Sequence, residues 1–196
     1  MKKMQSTLPN MVAVLTVATM IAGFLLGYVY QTTAEARERA ANDKLIGAIN
    51  GVVSGFDNDP VAERRTVAVG EQTVTVYPAT RGGELIGCAV ESSSENGFSG
   101  EVKIVTGFDR QGNIQGYAVT SHAETPGLGA RMGEWFRGEG SRTVIGRNPA
   151  AEALKVSKDG GDIDGITAAT ITSRAFLEAV NIAAQGALQY YRETEK

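Results

Sequence analysis

Thr170-Ile171-Thr172-Ser173-Arg174-Ala175-Phe176-Leu177-Glu178-Ala179-Val180-Asn181-Ile182-Ala183 opens the last segment of this 196-residue chain. Ile171, Ala175, Phe176, Ala179, Val180, Ile182 and Ala183, continued by Leu188, recur at helical spacing. With no Pro in the run, the spacing predicts a helix over residues 170–194 whose apolar stripe is core. What precedes it is of another kind. Residues 72–77 alternate and are rich in β-formers, residues 84–90 form a short apolar run containing Cys88, residues 101–107 alternate cleanly, and residues 113–120 read as a further strand. Asp109-Arg110-Gln111-Gly112-Asn113 supplies a hairpin turn between the last two. Strands in series closed by one long helix predict an α+β domain.

Further upstream, residues 53–65 hold Gly55, Asn58, Asp59 and Pro60 and read as loop. Residues 33–51, rich in Ala, Glu and Arg, read as a helix ending at Asn50-Gly51. Residues 4–34 carry no charge, and residues 11–30 are an almost unbroken apolar run, long enough as a helix for a hydrocarbon core of roughly 30 Å. Thr16 and Thr19 are compatible with insertion because their hydroxyls can bond to their own helix's carbonyls. Tyr28 and Tyr30 stand at one end, where amphipathic rings favour the interface. Lys2 and Lys3 with Ala34-Glu35-Ala36 resemble a cleaved signal, but the run exceeds the length of such a segment and reads as a retained anchor. Lys2 and Lys3 favour a cytoplasmic amino terminus and an exported remainder; Arg37, Arg39 and Lys44 beyond the run weaken that charge argument.

Composition limits the chemistry. One His (His122) and one Cys (Cys88) exclude an internal disulfide, a Cys-rich zinc module and an iron–sulfur cluster held by this chain alone. A Ser-His-Asp triad would have to use His122. No metal site and no catalytic residue of its own is expected. The net charge is −3, and without residues 1–34 it is −5, so a nucleic-acid partner is not expected.

Two motifs remain. Asp164-Gly165-Ile166-Thr167-Ala168-Ala169-Thr170 opens the terminal helix. Two hydroxyls three residues apart there suit helix capping, and the free N–H groups of the first turn suit phosphate; both readings are open on the residues alone. Ser121-His122-Ala123-Glu124-Thr125-Pro126-Gly127-Leu128-Gly129-Ala130-Arg131 is a shaped loop after a strand, where ligand contacts are common. Gly127, Gly129 and Gly133 miss the dinucleotide fingerprint by one residue, and Pro126 breaks the strand it requires. His122, alone in its loop, reads as structural or catalytic, the former more often.

Together these motifs resemble the covalent FMN-binding domain family, most closely the G subunits of Rnf-type electron-transport complexes. The resemblance covers essentially the whole chain. The family pattern is Asp-x-x-Ser/Thr-Gly-Ala-Ser/Thr, whose last hydroxyl forms a phosphoester with FMN. Mapped here, Asp164 is the acid, Thr167 the first hydroxyl, Ala168 and Ala169 the small pair, and Thr170 the attachment site. Ala168 stands where the family has Gly, which is harmless in a helical conformation and unfavourable at positive φ. The resemblance also implies that Glu124, Thr125, Leu128 and Gly129 line the flavin site.

It further implies an FMN-dependent electron carrier in an ion-translocating ferredoxin:NAD oxidoreductase. Its partners would be the other membrane and redox subunits and a separate flavin transferase that uses FAD. The expected organisation is a tail and membrane anchor over residues 1–34, a juxtamembrane helix and linker over 35–66, and an FMN-binding domain over 67–196 on the periplasmic side of the inner membrane. The alternatives are the C subunit of a sodium-pumping NADH–quinone reductase and an anchored, non-redox scaffold.

Overall fold

The computed structural model describes residues 7–194 and divides into two compact units, one up to Asp43 and one from Lys44 onward. Lys2 and Lys3, on which the expected orientation rests, lie outside the described residues. In the first unit, α1 (Leu8–Thr32) starts with Pro near its first turn and carries no charge. None of its residues is buried, and Leu15, Phe24 and Leu26 are all exposed. This helix is long and apolar enough to cross a membrane. Thr19 donates to the carbonyl of Thr16, and Thr32 to that of Tyr28, so these hydroxyls are satisfied within the helix. At its end the Arg37 guanidinium lies 3.8 Å from the centre of the Tyr30 ring and donates to the Tyr30 carbonyl.

The second unit begins with the last turns of α2 (Ala34–Val52) and contains β1 (Arg65–Val69), β2 (Gln72–Arg81), β3 (Glu84–Gly97), β4 (Gly100–Asp109) and β5 (Ile114–His122). The strands form one antiparallel meander in sequence order. Alternation places Val74, Val76, Cys88, Val90, Val102, Ile104 and Phe108 on one face, against α4 (Thr170–Thr194). Tyr77, Ala79, Ala89 and Val105 lie on the other face, against Ala48, Ile49, Val52 and Val53. The end of α2 comes so close to the sheet that a Cβ at Gly107 would strike the Val52 carbonyl. At the centre of the α4 face the Phe136 and Phe176 rings stack with centroids 4.4 Å apart, and Tyr117 meets Phe176 edge-on at 4.8 Å.

Three features depart from the sequence expectation. β1 lies largely beyond the region read as loop and pairs in register with β2 from Arg65↔Val76 to Val69↔Gln72. β3 continues past Val90 to Gly97, because the inward Ser92 and Ser94 hydroxyls are satisfied by α4: Ser92 Oγ donates to the Ala179 carbonyl at 2.8 Å and Ser94 Oγ to Glu178 at 2.6 Å. Ile171, expected in the core stripe, is 47% exposed. The turn after β4 forms as expected: Asp109 Oδ1 accepts from the N–H groups of Gln111 and Asn113, and Gly112 has φ 84°.

Cys88 is fully buried, and burial pushes its thiol up to about 12. At pH 8 only about one molecule in ten thousand would hold a thiolate. Aromatic disulfide reagents are therefore expected to leave Cys88 untouched in the native chain and to label it fully in denaturant; rapid native labelling would contradict this packing.

Candidate functional site

A carboxylate organises the site. Glu124, 5% exposed, follows β5 in the loop that the sequence marks with Pro126 and two glycines. Its Oε1 accepts the Ser99 N–H at 3.0 Å, and its Oε2 accepts the Thr172 hydroxyl at 2.7 Å. Three segments distant in sequence meet there: the β3–β4 hairpin tip, the loop after β5 and the first turn of α4. The loop is closed by its own bonds, since the Thr125 carbonyl accepts from both Leu128 and Ala130 N–H groups. Gly129 is required because a Cβ there would come within 2.5 Å of Glu124 Oε2 and 2.7 Å of Thr172 Oγ1. His122 supports the loop through its Nδ1, which accepts the Glu124 N–H.

These segments enclose a cavity of about 330 Å³. Its lining joins seven of the residues singled out in the sequence: Glu124, Thr125, Leu128, Gly129, Ala168, Ala169 and Thr170. Phe98, Ile171 and Thr172 complete it and were missed. Thr172 and Ile171 follow Thr170 directly, so helical geometry could have added them. Phe98 had no signal beyond its hairpin position, between Gly97 and Gly100. Phe98, Leu128 and Ile171 are 68%, 43% and 47% exposed and form an apolar rim. A mostly apolar slot with a few fixed polar atoms suits a flat heteroaromatic ring with a polar tail.

Asp164 and Thr167 face a second cavity, which Ala168 and Thr170 also border. Asp164 is held by three bonds: its carboxylate accepts from Ser141 Oγ at 2.5 Å, its N–H donates to the Ser141 carbonyl, and its carbonyl accepts from Trp135 Nε1 at 2.8 Å.

The hydroxyls of Thr167 and Thr170 do not cap α4. Among the described residues, Thr167 makes no side-chain hydrogen bond, and Thr170 Oγ1 accepts only from Lys158 Nζ, at 3.2 Å. Ser173 ties the turn before α4 to the helix, accepting the Ile166 N–H at 2.8 Å and donating to the Ala169 carbonyl at 2.9 Å. Thr170 is thus half-buried at the cavity wall with its oxygen free of helix duties. Ala168 has φ 61°, the left-handed region, and is the only non-glycine there among the described residues. That conformation disfavours an L side chain by roughly 1–2 kcal/mol.

Two substitutions test this geometry by urea unfolding of the detergent-solubilised chain. Ala168→Gly is expected to stabilise by up to about 1 kcal/mol, since relief of the left-handed strain exceeds the entropy that Gly adds to the unfolded chain. Glu124→Ala should destabilise by about 2–4 kcal/mol, because it leaves the Thr172 hydroxyl and the Ser99 N–H without their acceptor. A destabilised Ala168→Gly chain, or an unaffected Glu124→Ala chain, would contradict the structure.

Comparison with known proteins places these residues in context. The FMN-binding domain family matches residues 97–185. The chain is 46% identical to the G subunit of the ion-translocating oxidoreductase complex of Vibrio parahaemolyticus over 108 residues, 53% of this chain and 50% of that protein. It is 30% identical to the protein of the same name from Vibrio cholerae over 190 residues, 92% of this chain and 90% of that protein. With the counterpart of that name from Aliivibrio fischeri the identity is 32% over 188 residues, covering 90% and 89%.

Proposed function

The chain belongs to the G-subunit family of ion-translocating oxidoreductase complexes, and on that premise we propose that it is a membrane-anchored electron carrier whose FMN is joined by a phosphoester to Thr170. The observation that carries this reading is the position of the Thr170 hydroxyl. It stands at the wall of the 330 Å³ apolar cavity with no capping bond to hold it. The described residues fit the group: Phe98, Leu128 and Ile171 offer apolar surface to its ring, and Glu124, Thr125 and Gly129 complete the lining beside Thr170.

FMN supplies a centre that accepts and releases electrons. This suits a chain whose single thiol is buried and whose single imidazole is engaged with its own loop. Attachment exchanges a phosphoanhydride for a phosphoester. The Thr170 Oγ1–phosphorus bond forms as the pyrophosphate bond of FAD breaks, AMP leaves, and the hydroxyl proton passes to a separate flavin transferase. In this reading α1 anchors the chain in the inner membrane with the flavin domain on the periplasmic side. Its partners are the neighbouring redox subunits of an Rnf-type ferredoxin:NAD oxidoreductase.

Mass spectrometry of the full-length chain co-expressed with a flavin transferase is expected to find FMN on the Thr170 peptide. The protein should be yellow after denaturation, Thr170→Ser should keep the colour, and Thr170→Ala should lose it. An unmodified Thr170, with the transferase shown active on a control protein, would overturn the reading.

A further inference from the structure

Thr170 borders two cavities of different character. Beside the apolar one is a larger space of about 560 Å³, lined by Trp135, Arg142, Lys158, Asp164 and the Thr167–Ala168 turn among others. Lys158 reaches Thr170 from this side, in a 3-10 turn (Ser157–Asp159) that has no helical or strand role of its own. Its ammonium lies 3.2 Å from Thr170 Oγ1, and among the described residues no carboxylate stands within ion-pair distance of it.

The surrounding charges are differently committed. Arg174 grips Asp159 through two bonds of 2.7 Å. Arg147 pairs with Asp162. Arg142 lies 5.3 Å from the centre of the Trp135 ring. The carboxylate lining this space, Asp164, is bonded to Ser141. A lysine with no counter-ion among the described residues, placed against the oxygen on which a phosphoester would form, meets an anion as soon as that ester exists. An ammonium on a flexible stem suits a singly charged phosphodiester, which needs a point charge and no bidentate fork.

We propose that Lys158 is the phosphate-binding residue of this chain and that the polar cavity it lines is the phosphate subsite of the tethered flavin. This rests on the reading that Thr170 carries the cofactor. The apolar cavity then takes the ring, and Thr170 stands at the junction of the two.

The test is the ³¹P chemical shift of the flavinylated full-length chain in detergent micelles at neutral pH, with the loading of each protein confirmed by mass spectrometry. Lys158→Gln should move the phosphodiester resonance, and Lys158→Arg should return it towards the wild-type position. A Lys158→Gln resonance at the wild-type position, or a Lys158→Arg resonance that stays with that of Lys158→Gln, overturns the subsite while leaving the attachment intact. Absence of any phosphodiester resonance in wild type, confirmed by an unmodified Thr170 peptide, overturns the attachment and the subsite with it.

Discussion

One buried carboxylate holds the site together. Glu124 accepts a backbone N–H from the β3–β4 hairpin tip and a hydroxyl from the first turn of α4, while its own backbone N–H is held by His122. A buried carboxyl group is costly unless its oxygens find partners, and here each accepts a hydrogen bond. The same bonds fix the distance between the hairpin and the helix. The apolar cavity lies between the segments so held, with Phe98 on the hairpin side and Thr170 on the helix side. Gly129 follows from it as well, since no larger residue fits beside the Glu124–Thr172 bond.

Much of the fold was legible because it rests on local pattern. The terminal helix runs over the residues that its spacing predicts, and four of the five strands are seeded by alternating or apolar runs. The errors arose where long-range partners override local chemistry. The apolar run stops at residue 90, yet Ser92 and Ser94 beyond it occupy core-facing positions because Ala179 and Glu178 on α4 accept their hydroxyls. β1 is a short edge strand whose register is set by β2 rather than by any strong pattern of its own. Ile171 fits the helical stripe by spacing, but at the first turn of α4 that face meets the cavity mouth and not the core.

The site was legible in composition and less so in geometry. The loop from Glu124 to Gly129 and the Ala168–Thr170 segment, far apart in sequence, do line one cavity. Capping, the physically commonest role for hydroxyls at a helix start, is filled by neither threonine among the described residues, and Ser173 instead ties the preceding turn to the helix. Nothing local could have shown the Ser173 bond, because it depends on the turn that brings Ile166 over Ser173. The positive φ at Ala168 was likewise open in the sequence, where an alanine fits a helix as readily as a turn.

The apolar cavity has no wall made from one stretch of chain. Its lining comes from residue 98, residues 124–129 and residues 168–172, which meet only after the sheet is paired and α4 has docked. An unfolded chain presents the same threonine with no cavity beside it. On the proposed attachment, an enzyme that read the cavity along with Thr170 would act as an inspector of folding: loading would be deferred until the polypeptide is correctly assembled, and a bound chromophore would certify a completed domain.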